Sequence, residues 1–385
     1  MKYSNIFIAI VFLSSFLGIL FAFLNNQIII IPNDNNNNNN NSGKFLDNKI
    51  RRKDNNLLND EDENYKKPEG NNIIPIAINI DLYYYLQAIV FLTSLLENIG
   101  PNTKYQLYIM IPSRFDDNYK KSINSLMDKY GKEKIDIKYI NMKDSFQTAV
   151  TSMHISRTAY FRLLLPSMLP NFDKIIYSDC DVINFGDLSN LYNLPLKDNI
   201  YFRGIPDYYG NKEELSVFGI NPDMYMNSGI LLMNLKSLRK YGIERKIVEL
   251  CEENYLEHHD QTAINVICYQ NVEKLPIKYA MFNFESYDKI VEYNKGQKWK
   301  IRYNEKELME AYNSPVMIHF AGFDKPWNHR NVKFEEYWWF YAQKTDFYED
   351  ILIQNEYTEE EIYLIIKRIP ENGGFLRNNY KNNSS

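Results

Sequence analysis

Apolar residues in the larger part of the chain occur in short blocks with two different spacings. A short continuous apolar run at residues 74–80 predicts a strand buried on both faces. Further strands are predicted at residues 105–111, 135–140, 174–177, 229–234 and 316–320. Residues 85–98 and 118–130 instead show helical patterns, and Gly100-Pro101 ends the first of them. Strands that alternate with helices of this length predict βαβ units, and therefore an α/β fold with a mixed, mostly parallel sheet flanked by helices.

The N-terminal segment differs from this pattern, because residues 6–24 form a run of 19 uncharged, mostly apolar residues. An α-helix of that length can nearly cross a bilayer core of about 30 Å. With the apolar patch that follows, the run predicts a transmembrane signal anchor over residues 6–31. Lys2 precedes it and no basic residue follows until Lys44, which places residues 1–5 in the cytoplasm. A cleaved signal peptide is the alternative, although the run is long for one and no small-residue cleavage site follows.

Residues 32–72 are rich in Asn and in charged residues. Such a segment cannot bury enough apolar surface to fold alone, so it predicts a disordered stalk. A globular pattern begins at residue 73 and predicts a catalytic domain over residues 73–345. Residues 346–385 are predicted to form a helical extension and tail, in which Thr358 and Glu361 have the spacing of a capping box.

The net charge, the hydrophobic content and the number of cysteines argue against several classes of protein. The net charge is −5 and 45% of the residues are hydrophobic, which allows a large core and argues against a nucleic-acid-binding surface. Cys180, Cys251 and Cys268 are too few for a disulfide framework and contain no zinc-type pair. A single bridge between Cys251 and Cys268 is left open.

The strongest local motif places two carboxylates directly after a buried strand. Residues 174–177 lead into Asp179 and Asp181, and the apolar pair Val182-Ile183 follows. Ligands of open α/β sheets gather beyond the carboxyl ends of the strands. Two hard oxygen ligands at that edge suit Mn²⁺ or Mg²⁺ bridging a diphosphate. An Asp-x-Asp pair in a solvated loop is the alternative interpretation.

A second motif follows the last predicted strand, which ends at His319. A neutral His can complete a metal shell of carboxylates and imidazole. Gly322 allows close approach of the backbone to a phosphate, and Lys325 supplies a positive charge. The alternative is a core His at a strand end followed by an ordinary glycine turn.

A third motif is a short, mostly apolar helix that contains Arg157, Tyr160 and Arg162. An Arg within an apolar segment usually has a fixed anionic partner. The alternative is an Arg whose charged end reaches back to solvent.

These motifs lie within six blocks, at residues 76–81, 156–162, 177–182, 227–235, 260–265 and 319–327. In this order the blocks resemble glycosyltransferase family 8, which includes glycogenin, bacterial lipopolysaccharide galactosyl- and glucosyltransferases and galactinol synthases. The resemblance covers roughly residues 73–330. It implies a single GT-A (Rossmann-like) domain, retention of the anomeric configuration, and UDP-sugar donors used with manganese.

The resemblance also implies roles at the donor end of the site. Asp81 would contact the uridine and Tyr84 would stack on the uracil, whereas Tyr83 stands where the family usually has Asn. Cys180, between the two aspartates, is grouped with the donor-binding residues. Gly322 and Lys325 would bind the diphosphate, and Lys325 is expected to be an exposed cation that contributes little to stability.

The remaining roles concern the metal and the transferred sugar. Asp179, Asp181 and His319 would bind Mn²⁺ or Mg²⁺, and Arg162 would lie near the diphosphate and the donor sugar. The sugar pocket would be lined by Asn227, Asp260 and Gln261. An amide such as that of Gln261 is a poor nucleophile, which favours same-face attack over a covalent intermediate.

The expected function is metal-dependent transfer of a hexose of the galactose or glucose type from a UDP-sugar to a glycan, glycoprotein or lipid acceptor. The anchor predicts a single-pass type II protein of the secretory pathway, in the Golgi, with a luminal catalytic domain. One alternative is a catalytically inactive, sugar-binding family member with a scaffold role. A metal-dependent nucleotidyltransferase would share the Asp pair but does not explain the Asn227-Ser-Gly or Lys325-Pro-Trp segments.

Overall fold

The computed structural model describes seven ranges of the chain, residues 73–143, 145–146, 157–207, 212–220, 225–284, 286–296 and 303–376. All of them belong to one compact unit, residues 57–385. The predicted anchor at 6–31 and the stalk at 32–72 lie outside the described residues. Within the described ranges, no helix combines the length and apolar character that crossing a bilayer requires.

Ten strands occur in these ranges: β1 (Ile73–Asn79), β2 (Lys104–Ile111), β3 (Ile135–Asn141), β4 (Ile175–Ser178), β5 (Val182–Asn184), β6 (Phe202–Gly204), β7 (Ile230–Met233), β8 (Val272–Lys274), β9 (Met281–Phe282) and β10 (Met317–His319).

The α-helices in the same ranges are α1 (Tyr85–Glu97), α2 (Asp117–Tyr130), α3 (Leu165–Met168), α4 (Ser189–Tyr192), α5 (Lys212–Val217), α6 (Leu235–Lys240), α7 (Ile243–Glu253), α8 (His259–Cys268), α9 (Tyr287–Gly296), α10 (Glu305–Asn313), α11 (Glu335–Ala342), α12 (Tyr348–Gln354) and α13 (Glu359–Ile366). Short 3₁₀ helices cover Arg157–Leu164, Ile277–Tyr279 and Gly374–Leu376.

The strands form a seven-stranded sheet in the order β3-β2-β1-β4-β7-β6-β8 and a three-stranded sheet in the order β5-β10-β9. Strands β1 to β4 are mutually parallel where they pair, and β6 is parallel to β8. Only β7 runs antiparallel to its neighbours in the larger sheet. The predicted α/β fold with a mostly parallel sheet is therefore confirmed.

Local sequence explains the ends of several elements. The side chain of Asp116 accepts a hydrogen bond from the backbone N–H of Asn118 at the start of α2, and Gly131 ends that helix with a φ of 93°. The capping box predicted for Thr358 and Glu361 is present at the start of α13. Since these contacts involve residues within four positions of each other, a sequence pattern was sufficient to predict them.

The last three α-helices in the described ranges, α11, α12 and α13, are called the C-terminal helices below. They pack on the same hydrophobic core as the first strands. Ile351 in α12 and Ile362 in α13 are fully buried in the cluster that also contains Ile76 of β1. The side-chain amide of Asn98, after α1, donates a 2.7 Å hydrogen bond to the hydroxyl of Tyr341 in α11. These helices therefore contribute to the core of the unit and not only to its surface.

The three cysteines are buried as free thiols. The bridge between Cys251 and Cys268 that the sequence leaves open is accordingly not formed in this structure.

Candidate active site

The two sheets meet at the segment that joins β4 to β5. Asp179 follows β4, and its backbone N–H donates a 2.7 Å hydrogen bond to the carbonyl of Gly229, which precedes β7. Asp181 precedes β5, which pairs with β10 so that Val182 lies opposite His319. The backbone N–H of Phe320 also donates to the carbonyl of Asp181 at 2.9 Å. This pairing brings together two segments that are more than 130 residues apart in the sequence.

Asp179, Asp181 and His319 form a cluster whose candidate ligand atoms all lie within 4.8 Å of one another. The side chain of Asp179 is 28% exposed, whereas those of Asp181 and His319 are largely buried. Two carboxylates and one imidazole suit a divalent ion such as Mn²⁺ or Mg²⁺, with the remaining positions open to a diphosphate. The three predicted metal ligands are thus brought together, and their chemistry fits that of such an ion.

The space beside this cluster depends on Gly229, which has no side chain. A Cβ on Gly229 would overlap Cε1 of His319 and would lie 2.9 Å from both Nε2 of His319 and Oδ2 of Asp179. Nε2 of His319 and Oδ2 of Asp179 therefore both lie close to the point where a side chain at position 229 would begin. Only a glycine at position 229 leaves that point free.

The two oxygens of Asp179 have different surroundings. Oδ1 accepts a 2.7 Å hydrogen bond from the hydroxyl of Tyr177 and lies 3.0 Å from a terminal nitrogen of Arg162. Since these groups occupy Oδ1, Oδ2 is the oxygen that faces His319. Tyr177 is fully buried, and it was not predicted as a site residue although it lies within the matched block at 177–182.

Asp181 is paired with two groups. Its Oδ1 lies 3.2 Å from Nε2 of His319, and its Oδ2 lies 2.5 Å from the ammonium of Lys325. Burial alone opposes ionisation of this carboxyl, but the nearby Lys325 and His319 outweigh it and hold the pKa of Asp181 well below its usual value. The carboxyl group of Asp181 is therefore ionised at neutral pH.

Lys325 is not the exposed cation expected from the sequence. The residue is only 6% exposed, and its ammonium also donates to the carbonyl of Phe320 at 2.5 Å. The sequence could not show this, because the carboxylate that pairs with Lys325 comes from a segment 144 residues earlier. The expectation that Lys325 contributes little to stability assumed an exposed side chain, and that assumption is wrong.

Arg162 is buried and contacts four groups of the site. Its Nε lies 3.1 Å from Oδ2 of Asp260, and a terminal nitrogen donates to the carbonyl of Ser228 at 2.5 Å. Another terminal nitrogen contacts Asp179, and the guanidinium carbon lies 4.3 Å from the ring centroid of Tyr177. Burial lowers the pKa of Arg162, but the two carboxylates reverse that effect and raise it. By contrast, Arg157 on the same short helix is exposed.

The carboxyl of Asp260 has a pKa that is shifted towards neutrality. Burial raises the pKa of Asp260, the nearby Arg162 lowers it and Asp179 raises it again, and the net result is a pKa of about 6. The carboxyl lies at the start of α8, and its neighbour Gln261 accepts a 3.0 Å hydrogen bond from the backbone N–H of Ser228.

Asn227 and Gln261 meet at a carboxylate that was not predicted, Asp207. Its Oδ2 accepts hydrogen bonds from the side-chain amides of Asn227 at 3.2 Å and of Gln261 at 3.1 Å. Asp207 lies three residues after β6, so its position just beyond a strand end is the one signal that could have indicated it. The two amides are oriented by this carboxylate, and together the three groups form a polar cluster next to Asp260.

The residues predicted for the donor end have mainly structural contacts in this structure. Oδ1 of Asp81 accepts hydrogen bonds from the backbone N–H groups of Tyr83 at 2.9 Å and Tyr84 at 3.1 Å, which fixes the turn before α1. The ring of Tyr84 meets Trp327 edge-on at 6.0 Å, and Tyr83 is 72% exposed. The buried thiol of Cys180 donates to the carbonyl of Asn79 at 3.3 Å.

Burial raises the pKa values of Tyr84 and Cys180, and the nearby carboxylates of Asp179 and Asp181 raise both further. The thiol therefore stays protonated at neutral pH, which argues against a nucleophilic role. Gly322 adopts a φ of 87°, a conformation that favours glycine. Within the part of the chain that the structure describes, no heavy atom beyond Gly322 and its two chain neighbours lies within 4 Å of the position of an added Cβ. Its backbone conformation is thus the feature that requires glycine here.

A family model described as glycosyl transferase family 8 matches residues 75–331. The chain belongs to this family. The match includes every block on which the resemblance was based, and ends before α11.

Among curated family relatives, the chain is 28% identical to general stress protein A of Bacillus subtilis over 243 residues, which cover 61% of this chain and 80% of that protein. It is 26% identical to lipopolysaccharide 1,2-glucosyltransferase of Escherichia coli K12 over 259 residues, or 66% of this chain and 72% of that protein.

Two solved structures resemble the fold. The bifunctional glycosyltransferase WbbM aligns with a TM-score of 0.62 at 19% identity over 75% of this chain, and this chain spans only 53% of that one. The galactosyltransferase LgtC, in complex with donor and acceptor sugar analogues, aligns with a TM-score of 0.58 at 20% identity, covering 71% of this chain and 96% of that chain. At these identities the likeness concerns the fold alone, and it agrees with a GT-A-like α/β architecture.

Proposed function

We propose that this family 8 glycosyltransferase moves a hexosyl group from a UDP-hexose to a hydroxyl group of a glycan, glycoprotein or lipid acceptor, with retention of the anomeric configuration. The observation that supports it best is the position of Asp179, Asp181 and His319 between two buried cations, Lys325 and Arg162. A divalent ion and two cations in one place suit a leaving group that carries several negative charges.

Asp179, Asp181 and His319 would bind Mn²⁺ or Mg²⁺, which supplies positive charge to the departing diphosphate when it is bound. Lys325 lies within reach of the same position and can exchange its contact with Asp181 for a phosphate oxygen. Arg162 orients Asp179 through Oδ1, so that Oδ2 faces the metal position. The protein residues thus place positive charge where negative charge develops during transfer.

The polar cluster of Asn227, Asp207 and Gln261 would bind hydroxyl groups of the donor sugar, because its amides and carboxylate offer both donors and acceptors. Neither nearby candidate nucleophile is well prepared for a covalent step. The Gln261 amide oxygen accepts from Ser228, and Oδ2 of Asp260 is paired with Arg162. We therefore favour same-face attack, in which the acceptor oxygen bonds to the anomeric carbon, the bond to phosphate breaks, and the acceptor proton passes to the leaving phosphate.

The test is a donor screen with the full-length protein, in which released UDP is measured with UDP-glucose and UDP-galactose, with and without a panel of glycan acceptors. We expect acceptor-dependent release that needs Mn²⁺ or Mg²⁺ and stops in excess chelator. Asp181→Asn should reduce the rate on the order of 10³-fold. UDP-sugar binding without turnover on any acceptor would instead favour the sugar-binding scaffold role. Absence of both binding and turnover would overturn the proposal.

We also propose that residues 6–31 anchor the protein as a single-pass type II membrane protein of the Golgi, with the catalytic domain in the lumen. The support is the apolar run preceded by Lys2. Protease added to sealed vesicles should leave a C-terminal epitope intact until detergent is added. Digestion of the epitope in intact vesicles would contradict this topology, and an N-terminus that begins after residue 24 would indicate a cleaved signal peptide.

A further inference from the structure

The backbone carbonyl of Pro326 accepts two side-chain hydrogen bonds from the C-terminal part of the chain. Nε1 of Trp339, in α11, donates to it at 3.1 Å, and the hydroxyl of Tyr357, between α12 and α13, donates at 3.3 Å. Both donors lie beyond residue 331, where the family match ends. A part of the chain outside the family match therefore contacts the residue that follows Lys325.

These contacts lie in a closely packed environment. Trp339 is fully buried and Tyr357 is 6% exposed, and their ring centroids are 4.7 Å apart. Trp338, also fully buried, packs on Trp327 with ring centroids 5.0 Å apart. Closely packed side chains have little freedom to rearrange. Trp339 and Tyr357 therefore restrain Pro326, and Trp338 restrains Trp327.

The position of Pro326 bears directly on Lys325. The ring of a proline restricts φ, so Pro326 has one fewer free backbone torsion between its carbonyl and Lys325, and the residue before a proline is itself conformationally restricted. The backbone N–H of Lys325 is also fixed, by a 2.8 Å hydrogen bond to the side chain of Asn328. With the backbone restrained on both sides, the ammonium of Lys325 reaches the candidate metal site at Asp181.

We propose that Trp339 and Tyr357 are positioning residues, which orient the Lys325–Trp327 segment so that the ammonium of Lys325 meets the donor diphosphate. The proposal rests on the function proposed above, in which Lys325 binds that diphosphate. It assigns the C-terminal helices a part in donor binding, although none of their side chains needs to touch the donor.

Calorimetry of UDP binding to the full-length protein in the presence of Mn²⁺ tests this assignment. Trp339→Phe removes the indole N–H and Tyr357→Phe removes the hydroxyl, while both keep an aromatic ring in the core. Each variant should bind UDP about 3- to 10-fold more weakly, as expected for loss of one buried hydrogen bond. Tyr337→Phe is the matched control, because Tyr337 also lies in α11 but packs on Phe375. Its UDP affinity should equal that of the wild type.

The same substitutions combined with Lys325→Met separate positioning from a general loss of stability. If Trp339 and Tyr357 act through Lys325, adding either substitution to Lys325→Met should change UDP affinity less than 2-fold. An undiminished effect in that background, or wild-type affinity of both single variants, would overturn the inference. If Trp339→Phe does not fold, Tyr357→Phe decides, since it loses only one oxygen atom. Wild-type UDP affinity of Lys325→Met alone would instead contradict the proposed diphosphate contact.

Discussion

The ammonium of Lys325 lies 2.5 Å from Oδ2 of Asp181, so a residue proposed to bind the donor diphosphate is paired with a residue proposed to bind the metal. Both side chains are largely buried. An isolated buried carboxylate is unfavourable, and the lysine therefore supplies the charge that a divalent ion would supply when bound. This relationship links donor binding, metal binding and stability at one carboxylate.

Lys325→Met should accordingly destabilise the metal-free protein, because Asp181 loses its buried cation while the side-chain volume is kept. We expect the free energy of unfolding to fall by about 3 kcal/mol in excess chelator. Mn²⁺ should recover more stability in the variant than in the wild type, since the ion replaces the missing charge. Denaturant unfolding with and without Mn²⁺ measures both effects.

Lys129→Met provides the comparison for that experiment. Lys129 forms a 3.2 Å pair with Asp346, and both side chains are substantially exposed. Its removal should cost less than about 1 kcal/mol. If Lys325→Met costs no more than Lys129→Met, the buried pair contributes nothing and this interpretation is wrong.

Gly229→Ala should disrupt the metal site by steric overlap. The added methyl group would overlap the ring of His319, so either the imidazole or the segment that contains Gly229 must move. We expect Mn²⁺ affinity to fall by 10-fold or more, in the range found when groups that orient metal ligands are altered. Titration with Mn²⁺, followed by calorimetry or electron paramagnetic resonance, gives the affinity. Gly186→Ala is the control, because its Cβ would lie 3.4 Å from Val316 in ordinary contact; equal affinities of the two variants would rule out the steric argument.

Tyr177→Phe should weaken metal binding with little effect on folding. The hydroxyl is one of two groups that orient Asp179 through Oδ1, and the phenyl ring would keep its contact with Arg162. Mn²⁺ affinity should fall about 10-fold, and the free energy of unfolding by about 1 kcal/mol. Tyr105→Phe loses a buried hydroxyl that donates to Asp187, away from the cluster, and should keep wild-type affinity. A metal affinity unchanged in Tyr177→Phe would show that Arg162 alone is sufficient to orient Asp179.

Asp260 should make stability depend on pH between about pH 4 and pH 7. Its pKa is raised from 3.8 to about 6 in the folded protein. The folded protein therefore retains the proton that the unfolded chain has released, and stability falls as pH rises through this window and is constant above it. The difference between the two pKa values corresponds to about 3 kcal/mol.

Asp260→Asn removes this titration. The free energy of unfolding of the variant, relative to that of the wild type, should thus increase by about 2 kcal/mol as the pH rises from 4 to 7, because only the wild type loses stability over this range. Chemical denaturation at a series of pH values gives the difference directly. A difference independent of pH would mean that the pKa of Asp260 is the same in the folded and unfolded chains.

Several features of this protein follow from short-range sequence patterns. The strands predicted at 74–80, 105–111 and 135–140 correspond to β1, β2 and β3 within one residue at each end. The capping box at Thr358 is confirmed for the same reason, since its hydrogen bonds join residues three positions apart. The parallel arrangement also follows, because helices between the strands return the chain to the same edge of the sheet.

Asp179, Asp181 and His319 could be grouped before the structure was known, because the resemblance to family 8 implied that they bind one metal ion. Their positions near the ends of apolar strands agree with that grouping, since such ends collect ligands. Their roles remain proposals, but their proximity is a property of the fold. In contrast, no pattern indicated that Asp207 orients two amides from distant segments. That arrangement depends on how β6, the segment before β7, and α8 pack together.

The burial of Lys325 was likewise decided by tertiary structure alone. A lysine after a glycine turn is ordinarily exposed, and local sequence contains no sign of the carboxylate 144 residues away that pairs with it. The two hydrogen bonds from Trp339 and Tyr357 to the carbonyl of Pro326 also join residues that are far apart in the sequence, so local sequence could not indicate them either. Periodicity therefore determined which segments become strands and helices, since that choice depends on near neighbours. Only packing decided which side chains meet, because that choice depends on which buried groups can pair across the assembled core.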